Sequence, residues 1–268
     1  MSAIALTARQ SREREYYEKY CALNAPQNVR FDPIAGAERR PWNPYWFLCE
    51  SVASCYRSRE QKLLDFGCGP GVYSVMFAKL GFQVCGFDIS PVNIVTAEEL
   101  SDRYGFGDRT SFTTGIGEQL NYDDESFDVI VGIDILHHVD IARSIKECLR
   151  VLKKGGRAFF KEPVEVPIFD ILRNTSACKW LVPKSASLDR HITEDERKLT
   201  KDDLRMIKSL CPDMTAKRFR LFSRLDAFDK QLAASGKSSP IEKLDEKTFR
   251  CLPFTKQFGG DVVIGLRK

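Results

Sequence analysis

Leu64-Asp65-Phe66-Gly67-Cys68-Gly69-Pro70-Gly71 is a short apolar run that ends in three glycines spaced two residues apart. The apolar part, from Lys62, reads as a strand, and Val72 to Leu80 reads as a helix, so the glycines fill a strand-to-helix turn. Glycine lets the backbone turn sharply and approach a ligand without interference from a Cβ. The helix that follows offers N–H groups with no partner inside the helix, a setting that favours polar or anionic ligand groups. The turn is therefore predicted to hold a nucleotide-like ligand.

The chain alternates outward from this turn. Gln83 to Asp88 is a second apolar run. Pro91 to Tyr104 is helical, with Ser90 as N-cap and Pro91 in the first turn. Thr110 to Thr114 is a third strand, and Phe127 to Ile135 is apolar almost throughout, as a strand buried on both faces should be. Asp140 to Leu152 reads as an amphipathic helix stopped by Gly155-Gly156, and Arg157 to Lys161 as a fifth strand. Strands alternating with helices at this spacing predict an α/β protein with a mostly parallel, Rossmann-like sheet and helices on both faces. Right-handed crossovers gather Gly67–Gly71, Asp88, Gly115–Glu118, Asp134 and Glu162 on one sheet edge, where a ligand belongs.

The flanks are less regular. Ser11 to Tyr20 and Tyr45 to Tyr56 read as helices separated by a loop from Asn24 to Pro44, so residues 1–60 are expected to form a helical lid on a core over 61–162. Pro163 to Leu199 breaks the alternation, and residues 163–199 are expected to be an insertion over the active edge. A helix starting at Thr200, strands over Lys217 to Leu225 and Asp261 to Lys268, and a helix between those strands, after a polar linker, complete the core over 200–268.

The 268 residues carry a net charge of +4, spread along the chain, which does not call for nucleic acid as a partner. The charged runs Glu38-Arg39-Arg40 and Lys153-Lys154 read as solvated surface. Nine cysteines, with no C-x-x-C pair and no histidine at ligand spacing, read as reduced thiols and give no zinc site. No apolar stretch reaches the length of a membrane span and no signal peptide is visible, so a cytoplasmic protein is expected. The sequence carries no motif for the oligomeric state.

Two ligand classes fit a glycine turn followed about twenty residues later by an acid. The dinucleotide fingerprint G-x-G-x-x-G needs its third glycine for helix packing. Here the third glycine, Gly71, comes one residue early and Val72 stands where that pattern wants Gly or Ala. Asp88 can accept from ribose hydroxyls in either class. A dinucleotide-dependent oxidoreductase and a non-catalytic binding protein on the same sheet stay open at this point.

The runs LLDFGCGPGVYSVMFAKLGFQVCGFDIS, GIGEQLNYDDESFDVIVGIDILHHV and CLRVLKKGGRAFFKEP together resemble the class I S-adenosylmethionine (SAM)-dependent methyltransferases of the small-molecule branch, closely from about Gln61 to Pro163. The resemblance implies a seven-stranded sheet with the last strand antiparallel, SAM as cofactor, S-adenosyl-L-homocysteine as its product, and a small-molecule acceptor. It implies that Asp65, Gly67 and Gly69, with Gly71 closing the loop, cradle the methionine part of SAM. Asp88 takes the ribose hydroxyls and Ile89 packs on adenine. Gly117 and Glu118 line the adenine edge, while Ile133 and Asp134 face the methionine carboxylate or the methyl group. Ile116 departs from the family pattern, which often has an acid there for the adenine amino group; backbone or Glu118 then has to take over.

A base is needed only if the acceptor must lose a proton. His137, His138 and His191 are the candidates, since histidine titrates near neutral pH; His137 and His138 are equally open to a packing role. Glu162, Tyr16, Tyr17 and Tyr20 are further candidates for the acceptor pocket, the tyrosines reading first as lid core. Asp134 alone among candidate carboxylates near the fourth strand gives no metal site, and Ile133-Asp134-Ile135-Leu136 is not the Asn/Asp-Pro-Pro-Tyr signature of enzymes that methylate amide or base nitrogens.

Overall fold

In the computed structural model, the residues described are 6–24, 26–36, 39–166, 197–223 and 238–268. Helices α1 (Ala8–Asn24), α2 (Asp32–Ala35) and α3 (Pro44–Ala53) precede the sheet. Strand β1 (Lys62–Phe66), helix α4 (Val72–Leu80), β2 (Gln83–Asp88), α5 (Pro91–Arg103), β3 (Thr110–Thr114) and β4 (Phe127–Ile133) follow. A 3-10 turn (Leu136–His138), α6 (Ile141–Val151), β5 (Leu152–Pro163), α7 (Lys201–Leu210), β6 (Thr215–Phe219), α8 (Pro240–Cys251), a 3-10 segment (Pro253–Phe258) and β7 (Asp261–Arg267) complete the order.

The seven strands form one sheet in the order β3-β2-β1-β4-β5-β7-β6. The first five pair in parallel, and β7 runs antiparallel between β5 and β6. The sequence expectation of a mostly parallel seven-stranded sheet with an antiparallel last strand holds. The direction of the chain reverses about β1, between β2 and β4, and this switch point is where the glycine turn leaves the sheet.

Alternation along the strands divides the core into two layers. Leu64, Phe66, Ile130, Phe160 and Ile264 face α6 and α7, meeting Ile145, Cys148 and Ile207. Their neighbours Leu63, Val129, Val131, Phe159 and Val263 face α3 and α4, meeting Leu48, Cys49, Val52, Val75 and Phe77. Cys49, Cys55, Cys68, Cys85, Cys148, Cys211 and Cys251 are free thiols, four of them buried.

Several boundaries differ from the sequence reading for local reasons. The strand expected to reach Ile135 stops at Ile133, because Asp134 takes a left-handed φ of 54° and turns the chain into the 3-10 segment. The Asn24–Pro44 passage, read as loop, contains the single turn α2. Strand β6 ends at Phe219, followed by Arg220 at φ 61°. Arg40 is not solvated surface: it is buried, with its Nε 3.1 Å from Glu242 Oε2, a carboxylate that also accepts from the Asn43 side chain at the N-cap of α3. Val164 and Leu199 bridge in parallel, so the two ends of the expected insertion lie side by side; residues 167–196 between them fall outside the described residues. The predicted helix start at Thr200 is a capping box with Asp203. Among the described residues no helix is long and apolar enough to cross a membrane.

Candidate active site

A cavity of about 560 Å³ opens at the carboxyl ends of β1, β2 and β4, within the size range of small-molecule sites. Gly67, Gly69, Asp88, Ile89, Gly117, Glu118, Ile133, Asp134 and His138 line it, as expected. Phe87, Asn93, Gly115, Ile116, Ile135 and Val139 line it too. Gln10, Glu13, Tyr16, Tyr17 and Tyr20 of α1 form the opposite wall.

The turn has the backbone that its glycines allow. Gly69 holds φ 50° with nothing within 4 Å of where a Cβ would stand, so its empty side faces the cavity. Gly71 holds φ 80° and is the N-cap of α4, but a Cβ there would come 2.7 Å from the Ala97 side chain. Gly71 is thus required for packing α4 against α5 and is not part of the cavity wall.

Asp88 ends β2 with its carboxylate oriented from three directions. Oδ2 accepts from Gly69 N–H at 3.0 Å, and Oδ1 accepts from Ser90 N–H at 2.9 Å and Asn93 Nδ2 at 3.0 Å. A carboxylate has roughly four acceptor positions, so about one remains for a ligand hydroxyl. Burial pushes its pKa up against the opposing pull of these donors. Asp65, expected beside it, lies behind the turn: it is buried, accepts from Ser74 Oγ at 2.6 Å and does not reach the cavity. At the far end, Ile116 bridges to Gln119, and Glu118 Oε1 accepts from Asp140 N–H at 3.0 Å, which ties this edge to the start of α6.

The exit of β4 is built around a buried acid. Glu162 accepts from Ile135 N–H at 3.0 Å and Leu136 N–H at 2.8 Å through Oε1, and its Oε2 lies 2.6 Å from His137 Nδ1. Glu162 and His137, both candidates for the reaction, therefore hold the turn and do not line the cavity. His138 is the histidine the turn presents to the cavity; His191 lies outside the described residues.

Asp134 reaches Lys161 Nζ at 2.7 Å and accepts from Tyr45 Oη at 3.0 Å. Lys161 also lies 3.3 Å from Asp261, which Arg220 approaches to 3.2 Å. Burial opposes the charge on Lys161, but its contacts with Tyr45, Asp261 and Asp134 outweigh it and raise its pKa. Burial pushes the Tyr45 hydroxyl up to about 12. Lys161 was not singled out in the sequence; its signal was a lysine directly after the apolar run Ala158-Phe159-Phe160 near the end of the strand.

The α1 wall carries a contact set of its own. Tyr17 Oη lies 3.0 Å from His138 Nε2, and Glu13 Oε2 lies 3.2 Å from His138 Nδ1. Arg9 donates to the His137 carbonyl at 3.1 Å and fixes the helix to the turn. The tyrosines, read first as lid core, are cavity residues instead: Gln10, Glu13, Tyr17 and Tyr20 recur at three- and four-residue spacing and share one face of α1.

Residues 64–160 match a family model described as a methyltransferase domain. Over these residues the chain is similar to methyltransferase domains. A demethylmenaquinone methyltransferase of Chlorobaculum tepidum is 36% identical over 108 residues, 40% of this chain and 42% of that protein. A ubiquinone biosynthesis O-methyltransferase of Maricaulis maris is 35% identical over 97 residues, 35% of this chain and 37% of that protein. The chain thus spans about two-fifths of the length of these curated relatives. Among solved structures, geranyl diphosphate C-methyltransferase of Streptomyces coelicolor A3(2) superposes with a TM-score of 0.61 at 15% identity, over 97% of this chain and 98% of that one. The [4+2]-cyclase SpnF superposes with a TM-score of 0.60 at 20% identity, over the full chain and 99% of that one. At these identities the structures share the fold of the methyltransferase domain.

Proposed function

We propose that the protein transfers a methyl group from SAM to a small-molecule acceptor. The observation that carries this reading is the cavity itself, walled by a glycine turn whose open side is Gly69 and by the oriented carboxylate of Asp88 at the end of the next strand. The methyltransferase relatives over the core support it. When bound, SAM supplies an electrophilic methyl group on a positively charged sulfur that is already a good leaving group.

The chain's own task is then alignment and exclusion of water. Asp88 accepts a ribose hydroxyl, Gly67 and Gly69 let the backbone approach the methionine part, and Ile89, Ile116 and Gly117 bound the adenine. Asp65 supports the turn from behind through Ser74, and Gly71 packs α4. Asp134, clamped by Lys161, faces the reacting end. Segment 1–60 serves as the lid, with α1 as its working face, and the acceptor lies between α1 and the exit of β4.

Equilibrium binding of SAM tests the assignment. Gly69→Arg fills the open side of the turn and is expected to abolish binding while the fold, followed by circular dichroism, is retained. Normal SAM binding by this variant would show that the ligand does not use the turn.

A further inference from the structure

Resting on the reading above, we propose that Tyr17, His138 and Glu13 form a proton relay, and that the acceptor is a planar aromatic compound methylated on its hydroxyl oxygen. The relay joins two elements far apart in the chain: Tyr17 and Glu13 come from α1, and His138 from the turn after β4. His138 Nε2 lies in hydrogen-bond contact with Tyr17 Oη at 3.0 Å, and Nδ1 faces Glu13 Oε2 at 3.2 Å, close enough for charge interaction but without hydrogen-bond geometry. The relay uses the tautomer in which the Tyr17 hydroxyl donates to Nε2 and the Nδ1 proton lies on the side of the Glu13 carboxylate. Glu13 and His138 are both almost excluded from solvent, with side chains 5% and 7% exposed, so the carboxylate acts on the ring through little water.

All three residues line the cavity, and the Tyr17 oxygen is the relay atom placed to meet an acceptor. As the acceptor oxygen bonds to the methyl carbon, the bond from that carbon to sulfur breaks and its electron pair stays on sulfur. The acceptor proton passes to Tyr17 Oη while the Tyr17 proton passes to His138 Nε2. Glu13 compensates the positive charge that the ring gains, and the proton leaves to solvent after the product.

The form of the acceptor follows from the same wall. Tyr16 meets Tyr17 edge-on, with ring centroids 5.2 Å apart, and stacks on Tyr20 at 6.4 Å with planes 8° apart. Ile133, Ile135 and Val139 stand on the β4 side. A slot with aromatic rings on one side and branched aliphatic chains on the other fits a flat, apolar body with one polar edge. Isolated alkene carbons and amines with a free lone pair do not need a base before the methyl bond forms; an aromatic hydroxyl does, and the relay supplies one.

The test uses phenol, 4-cyanophenol and 4-nitrophenol as acceptors of increasing acidity. SAM binding is measured by titration calorimetry and the methyl ethers by mass spectrometry. In Tyr17→Phe and His138→Gln, SAM affinity is expected to stay within about threefold, because neither change touches the glycine turn. With phenol, kcat is expected to fall about 10²- to 10⁴-fold, the usual worth of a general base, and with 4-nitrophenol less than about tenfold. Glu13→Gln, a positioning variant, is expected to lower kcat for phenol with KM held. Losses equal across the three phenols would assign the set a structural role and overturn the relay. Wild-type protein that binds SAM and methylates none of the phenols would overturn the acceptor class. Wild-type protein that does not bind SAM would instead overturn the reading on which this proposal rests.

Discussion

Asp65 and Asp88 sit near the carboxyl ends of neighbouring strands, and their surroundings give them different tasks. Asp88 faces the cavity with three donors on it. Asp65 faces inward, where burial pushes its pKa up to about 7, partly opposed by the Ser74 hydrogen bond and aided by the charge of Asp88. The unfolded carboxyl titrates near the usual value of about 3.9. Between these values the folded state holds a proton that the unfolded state has lost. Stability from this group is therefore present in full below about pH 4, falls as pH rises towards about 7, and is level above it. Asp65→Asn removes this dependence. Relative to wild type, the variant is expected to gain stability between pH 4.5 and pH 7.5 in urea unfolding, by at most about 4 kcal/mol at 1.36 kcal/mol per unit. A difference that does not change with pH would mean that Asp65 is ionised in the fold throughout.

At the scale of elements, the sheet edge depends on Lys161, which ties the exit of β4, the start of β7 and α3 through Asp134, Asp261 and Tyr45. Removing one partner of a buried ionic set leaves the others uncompensated. Lys161→Met is expected to destabilise the protein by about 3–5 kcal/mol, read by chemical denaturation, with Asp134 and Asp261 still in place. A loss below about 1 kcal/mol would show that water reaches these carboxylates. The elements of the core were legible in the sequence because buried parallel strands are continuous apolar runs and their helices are capped by Ser90, Asp140 and Thr200. The glycine turn and Asp88 were legible as one strand-end cluster because their residue types and spacing mark successive parallel strands that open onto the same cavity. Helix α1 was legible as a lid helix whose Tyr16, Tyr17 and Tyr20 were candidates for the pocket, but the part of Gln10 and Glu13 in the same wall was not. Its polar and aromatic face looks outward to a ligand space, so no apolar stripe distinguishes it from a solvated helix. His137 and His138 looked alike in sequence. Only the 3-10 turn, pinned by Glu162, sends one ring to a buried acid and the other to the cavity.

For the whole molecule, the two core layers fix the sheet, and the sheet fixes where the turn, Asp88 and the β4 exit converge. The same architecture supports a C-methyltransferase and a [4+2]-cyclase at low identity, so the reaction is carried by the cavity walls and not by the sheet. The wall contributed by α1 lies outside the matched segment 64–160, and under the proposed function it is the part of the cavity that would set the acceptor preference. A ligand that binds the native state alone also stabilises it. Saturating SAM is accordingly expected to raise the melting temperature of the wild type and not that of Gly69→Arg, followed by calorimetry. The central claim is tested most directly by titrating SAM and NAD(H) into wild type and Asp88→Ala by calorimetry. The account predicts one SAM per chain, no measurable NAD(H) binding, and an affinity for SAM weakened about ten- to hundredfold in the variant, the worth of about 1.5–3 kcal/mol for a hydrogen bond to a charged group. Preferential binding of NAD(H), or equal SAM affinity in the two proteins, would contradict it.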